Sequence, residues 1–133
     1  SALDYGYAVL RGAITRALVA HGLHPSIGLF HASEQNAFNL ADDLIEPFRP
    51  LVDLHVARNR VPQDGEDNEL SPADKVALVG LLNVDMRMPR GEMTVLSSIE
   101  HATEAVARLF DGASETLLEL PSLIELRQHR IEA

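Results

Sequence analysis

Residues 1–22 read SALDYGYAVLRGAITRALVAHG, and the spacing of the apolar residues in this stretch sets the fold class. Leu3, Tyr7, Leu10, Ile14 and Leu18 follow one another at steps of four, three, four and four, which lays a single apolar stripe along a helix. Ser1 stands where a helix cap belongs, and Gly22 stands where a helix stop is expected. Ala2, Ala8, Ala13 and Ala17 add helix propensity and let a neighbour approach closely.

The same period continues outward. From Asn36 to Asp53, apolar residues fall at 37, 38, 40, 41, 44, 45, 48, 51 and 52. Pro47 and Pro50 each remove a backbone donor inside that run, so the pattern predicts a kinked helix or two helices meeting there. Ser71-Pro72-Ala73-Asp74 is a second helix start, with a capping serine, a proline in the first turn and an acid at the positive end of the dipole. That helix is expected to run to about Asn83. Met86 to Thr94 holds Pro89 and Gly91 and reads as a turn with short strands on either side. Thr94 or Ser97 then caps a helix with Ile99, Ala102, Val106 and Leu109 on one face, ended by Gly112. Ser114 to Leu120 is a further short helix candidate, and the tail from Glu125 is polar. His24-Pro25-Ser26-Ile27-Gly28 reads as a loop. The expectation is an all-α fold: an irregular bundle of four to five helices, with little or no strand, forming one domain over residues 1–133.

Composition narrows the function classes. A chain of 133 residues buries roughly two thirds of the surface its unfolded form exposes, enough for a core without staples. No cysteine is present, which excludes a disulfide framework, a thiolate zinc site and a cysteine nucleophile. The longest apolar run, Val76 to Leu82, is seven residues against the roughly 20 that a membrane span needs, and no signal-peptide pattern opens the chain. No membrane partner is expected, and the cytoplasm is the default compartment. Eleven basic residues face 20 acidic ones, a net charge of −9, which by itself argues against a nucleic-acid surface. Residues 64–69 hold four of those acids but fail the calcium-loop pattern, since positions six and twelve counted from Asp64 are Glu69 and Lys75.

Among six histidines, His21, His24, His55, His101 and His129 fit surface or capping roles. His31 differs, because it follows Phe30 in a loop and precedes a helix carrying Asp42, Asp43 and Glu46. Asp43 and Glu46 are three apart and project from one face, where two like charges repel unless a cation sits between them. Carboxylates with one imidazole suit Mg²⁺ or Mn²⁺. The alternative is that Asp42 and Asp43 are solvated and Glu46 pairs with Arg49. No Gly-rich phosphate loop, nucleophile elbow or His-Glu-x-x-His helix is present.

The run Gly22-Leu23-His24-Pro25-Ser26-Ile27-Gly28, then Phe30-His31, then Asn36 through Glu46-Pro47-Phe48-Arg49-Pro50-Leu51-Val52-Asp53, resembles the CRISPR-associated spacer-acquisition integrases, the first of the two universal adaptation protein families. The likeness covers residues 3–53 and is nearest to the type II variety. It implies that His31 and Glu46 are ligands of a catalytic Mg²⁺ or Mn²⁺ and that Asp43 supports the site from the same helix face. It further implies a first glutamate ligand on an upstream helix and an N-terminal β-rich domain. Neither has a counterpart in this sequence, so the chain is expected to be the C-terminal helical catalytic lobe of a longer protein. Glu34 does not match the missing glutamate position. The implied activity is that of a DNA endonuclease and integrase: a 3′-hydroxyl of a short foreign DNA attacks a phosphodiester at the leader-repeat junction. The implied partners are double-stranded DNA (prespacer and leader-repeat), a second copy in a homodimer, and the second universal adaptation protein. Arg49, Arg58 and Arg60 lie close in sequence to the site and are candidates to meet phosphate, with an ion pair to one of the surplus acids the favoured alternative for Arg49. With its ligand set incomplete, the isolated chain is expected to bind DNA weakly and to integrate nothing. The competing class is a non-catalytic helical interaction module whose acids serve solubility and assembly.

Overall fold

The computed structural model describes residues 1–23, 34–61, 70–110 and 121–122, and of 34–39 and 110 it describes the backbone alone. The element order is α1 (Ala2–Ala20), α2 (Glu34–Ile45), a 3-10 turn (Glu46–Phe48), α3 (Arg49–Arg58), α4 (Pro72–Val79) running into a second 3-10 turn (Gly80–Asn83), β1 (Asp85–Met88), β2 (Gly91–Thr94) and α5 (Val95–Phe110). The fold is mostly helical, as the periodicity predicts.

α1 forms where the stripe places it. Leu10, Ile14 and Leu18 are buried, while Leu3 and Tyr7 are partly buried against the same core. The Ser1 hydroxyl accepts from the Asp4 amide at 3.2 Å. At the other end Gly22 takes φ +87°, which a residue with a Cβ disfavours. The Leu23 amide then donates back to the Leu18 carbonyl and the Gly22 amide to the Val19 carbonyl, both at 3.0 Å, and Leu23 joins Leu18 in the buried core. These two bonds satisfy carbonyls that the helix end would otherwise leave bare.

The two prolines act as expected. α2 tightens into the 3-10 turn at Glu46, with Pro47 in the turn's first positions, and α3 begins at Arg49 with Pro50 in its first positions. Phe48, at the joint, is 1% exposed and anchors it in the core. Ser71 caps α4, accepting from the Asp74 amide at 3.0 Å. Of the two candidates for α5, the cap is Thr94, whose Oγ1 accepts from the Ser97 amide at 3.1 Å. Ile99, Ala102 and Val106 on α5 are buried, whereas Leu109, expected on that face, is 41% exposed near the helix end.

The hairpin is the only sheet among the described residues. Its strands are antiparallel, pairing Asp85 with Thr94 through Met88 with Gly91. On its other edge β1 takes up Ser122, with Arg87 and Ser122 exchanging backbone bonds of 3.0 and 2.8 Å. α1 is the central element, packing against α2, α3, α4 and α5. Among the described residues no helix is long and apolar enough to cross a membrane. The loop expected over residues 24–28, the acidic segment 64–69, the helix candidate 114–120 and the tail from 125 lie outside the described residues.

Candidate metal centre

The α2–α3 joint presents its acids to solvent because their apolar neighbours face inward. Ala41, Leu44, Ile45 and Phe48 are buried, which leaves Asp42, Asp43 and Glu46 exposed. The three acids meet different surroundings. Asp42 is gripped by Arg11 of α1, with Nε 3.0 Å from Oδ1 and Nη2 3.4 Å from Oδ2. This two-pronged contact ties α2 to α1 and takes Asp42 out of the ligand question. Asp43 makes no ion pair among the described residues. Glu46, with a side chain 65% exposed, has Oε1 2.9 Å from Arg49 Nε, an ion-pair distance without hydrogen-bond alignment. The pairing of Glu46 with Arg49 weighed from spacing is therefore present, and it leaves Oε2 without a partner among the described residues.

Arg49 has a second neighbour. Its Cζ stands 4.9 Å from the centroid of the Tyr7 ring. The Tyr7 hydroxyl donates to Asp53 Oδ1 across from α1 to α3. That bond, then burial, raise the Tyr7 pKa above the usual phenol value, against a weaker opposing effect of Arg49, so Tyr7 keeps its proton and remains a donor. Glu46, Arg49 and Asp53 fall at spacings of three and four along one helical run; Arg49 and Asp53 meet α1 at Tyr7, and Glu46 joins them through Arg49. Exposed ion pairs of this kind contribute under about 1 kcal/mol each, so their consequence is orientation rather than stability.

His31 lies outside the described residues. Among the described residues no group of three or more His, Asp or Glu side chains stands close enough to hold a metal ion. The histidines that are described have other surroundings. His21 Nε2 is 3.4 Å from Glu100 Oε2 on α5. His55 is half-buried beside Asn59, with Nδ1 3.3 Å from Asn59 Nδ2, and burial lowers its pKa below the usual 6.5 while the charge of Asp74 works the other way. Arg58 and Arg60 are exposed at the end of α3 and make no ion pair among the described residues.

Sequence spacing missed the Tyr7–Arg49–Asp53 cluster. The period assigned Tyr7 to the apolar stripe, and only the docking of α1 on α3 shows that its hydroxyl is used. A tyrosine in an otherwise aliphatic stripe was the available signal, since a partly buried phenol usually finds a partner.

A family model described as CRISPR associated protein Cas1 matches residues 1–68, just over half of the 133. The chain belongs to the Cas1 family. The matched interval contains α1 to α3 and with them Tyr7, Asp43, Glu46, Arg49 and Asp53. A Neisseria meningitidis serogroup C protein, named CRISPR-associated endonuclease Cas1, is 38% identical over 132 residues, which cover 99% of this chain and 43% of that protein. A Pyrobaculum aerophilum protein, CRISPR-associated endonuclease Cas1 1, is 48% identical over 66 residues, covering 50% of this chain and 22% of the relative. A Thermus thermophilus protein of the same name is 48% identical over 54 residues, covering 40% and 17%. The chain thus spans less than half the length of the Cas1 relatives it matches.

Proposed function

We propose that this chain is the helical lobe that helps hold the catalytic cation of a CRISPR adaptation DNA endonuclease and integrase. The observation that carries the proposal is the pair of exposed carboxylates, Asp43 and Glu46, one helical turn apart at the α2–α3 joint and inside the interval that matches Cas1. The names of the relatives, each an endonuclease, supply the reaction class.

The donor chemistry fits a hard divalent cation: two exposed carboxylates are present, Asp43 makes no ion pair, and Glu46 keeps one oxygen without a partner. Glu46 and His31 are assigned as ligands of Mg²⁺ or Mn²⁺, with Asp43 reinforcing the site. When bound, the cation supplies Lewis-acid polarisation of a phosphoryl group and offsets charge on the attacking and leaving oxygens. In the reaction a 3′-hydroxyl oxygen of the incoming DNA forms a bond to phosphorus, and the original phosphorus–oxygen bond of the target strand breaks. The work of this chain is to fix ligands on a joint made rigid by Pro47, Phe48 and Pro50, and to meet the DNA backbone with Arg58 and Arg60. The substrates are the double-stranded prespacer and the leader-repeat duplex. The partners are a second copy of the protein and the second universal CRISPR adaptation protein, in the cytoplasm. A 133-residue chain carries only part of the implied ligand set, so alone it transfers no strand.

The test is strand transfer into a leader-repeat duplex by the protein in its full natural length, with Mg²⁺ or Mn²⁺. His31→Ala and Glu46→Gln abolish transfer, Asp43→Asn lowers it about 10- to 100-fold as supporting residues of metal sites do, and His101→Ala leaves it unchanged. Equal behaviour of all four variants overturns the proposal in favour of a helical interaction module.

A further inference from the structure

We propose that Arg49 is a positioning residue for Glu46 rather than a contact to DNA, and that Tyr7 with Asp53 forms its seat. The inference rests on the reading of Glu46 as a cation ligand and deepens it.

Three contacts lie in series. Arg49 Nε is 2.9 Å from Glu46 Oε1. The Arg49 guanidinium stands 4.9 Å over the Tyr7 ring. The Tyr7 hydroxyl donates to Asp53. The series begins and ends on one helical run, at 46 and 53, and crosses to α1 only through Tyr7. A free arginine samples many rotamers and can follow a phosphate; an arginine stacked on a ring and paired with a carboxylate has few left. Arg49 is accordingly half-buried, while Arg58 at the end of the same helix and Arg60 just past its cap are exposed. Two arginines with no ion pair and one with two neighbours are not interchangeable parts of one basic patch.

The consequence falls on Glu46. An exposed glutamate swings freely, so a cation must first order it. By holding Oε1, Arg49 limits that swing and leaves Oε2 without a partner among the described residues. Ligating carboxylates in metal sites are commonly held this way by an outer partner. Tyr7 is what keeps the partner in place. The Asp53 bond fixes the ring's hydroxyl, so the ring is the fixed surface on which the guanidinium rests.

The experiment uses the protein in its full natural length and reads Mn²⁺ directly. Paramagnetic broadening of the Glu46 backbone amide gives the affinity, and the ring-current shift of the Arg49 Nε–H proton gives the seating. Tyr7→Leu removes the ring without changing charge. It should abolish the ring-current shift and weaken Mn²⁺ about tenfold at an unchanged unfolding midpoint. Tyr7→Phe keeps the ring and should retain the shift and most of the affinity. Arg49→Lys keeps the charge but loses the stacked fork, and should resemble Tyr7→Leu. In a Glu46→Gln background, Tyr7→Leu should have no further effect on Mn²⁺, because it acts through Glu46. If Glu46→Gln weakens binding and Tyr7→Leu and Arg49→Lys do not, the positioning role is overturned and the ligand reading stands. If Mn²⁺ broadens the wild type and Glu46→Gln alike, or neither, the ligand reading itself fails and this proposal with it.

Discussion

Arg60 occupies the position after the α3 cap, and its φ of +50° places it in the left-handed region. The Arg60 amide bonds the Ala57 carbonyl at 3.4 Å and the Val61 amide bonds the Val56 carbonyl at 3.1 Å, the same pair of closing bonds that Gly22 and Leu23 make at the end of α1. At Gly22 the residue type suits the backbone and the helix stop is legible in the sequence. At Arg60 it does not, and no spacing rule places a stop there. Asn59 already caps the helix, its side-chain amide donating to the His55 carbonyl at 2.8 Å, so a guanidinium is not needed for that purpose. A side chain in the left-handed region costs about 1–2 kcal/mol, and the added freedom of glycine in the unfolded chain returns part of it, so Arg60→Gly should stabilise the fold by about 0.5–1 kcal/mol. Urea unfolding monitored by circular dichroism measures this, and an unchanged or lower midpoint contradicts it.

Where α1 crosses α3, the Gly6 backbone lies so close to the Val52 side chain that a Cβ on Gly6 would stand 2.5 Å from Val52 Cγ1 and 3.1 Å from its Cγ2. Val52 is fully buried and β-branched, so it has no free rotamer to move into. Gly6→Ala would gain about 1 kcal/mol of helix propensity. The clash should cost more, about 1–3 kcal/mol, so the substitution is expected to destabilise despite the better helix former. Adding Val52→Ala should recover part of that loss, and the double-mutant cycle should show a coupling above about 0.5 kcal/mol. Additivity of the two changes would mean that the crossing can loosen. The helices themselves were legible because each rests on local chemistry: the stripe from Leu3 to Leu18, the caps Ser1, Ser71 and Thr94, and the break at Pro47 and Pro50. The Gly6 crossing and the Tyr7–Asp53 bond were not, because both depend on how one helix docks on another, the partners of each being 46 positions apart in sequence. The exposure of Asp43 and Glu46 on one face follows from their spacing, whereas spacing leaves Arg49 two roles and says nothing of the Tyr7 ring that the docking of α1 puts beneath it.

Across the whole molecule, 20 acids outnumber 11 bases, and four of the described arginines are held in ion pairs. Arg11 is paired with Asp42, Arg49 with Glu46, Arg87 with Glu92 and Arg108 with Glu104. Arg16, Arg58, Arg60 and Lys75 make no ion pair among the described residues, and of these only Arg58 and Arg60 are two apart in sequence and close in sequence to the α2–α3 joint. A DNA backbone approaching this body meets net repulsion except where such cations stand free, since a paired arginine brings its acid along. Binding should therefore be weak and only shallowly dependent on salt, carried by a few arginines rather than by the overall field. Each arginine that neutralises a phosphate contributes about 0.9 to the slope of log affinity against log salt. Arg58→Ala and Arg60→Ala should each lower that slope by about this amount, while Arg108→Ala, which removes a paired cation, should leave it unchanged. Fluorescence anisotropy of a labelled duplex at several salt concentrations decides the matter. Arg60→Gly makes the sharper version of the test, because it should raise stability and lower the slope in one substitution, a combination that general damage to the fold does not produce.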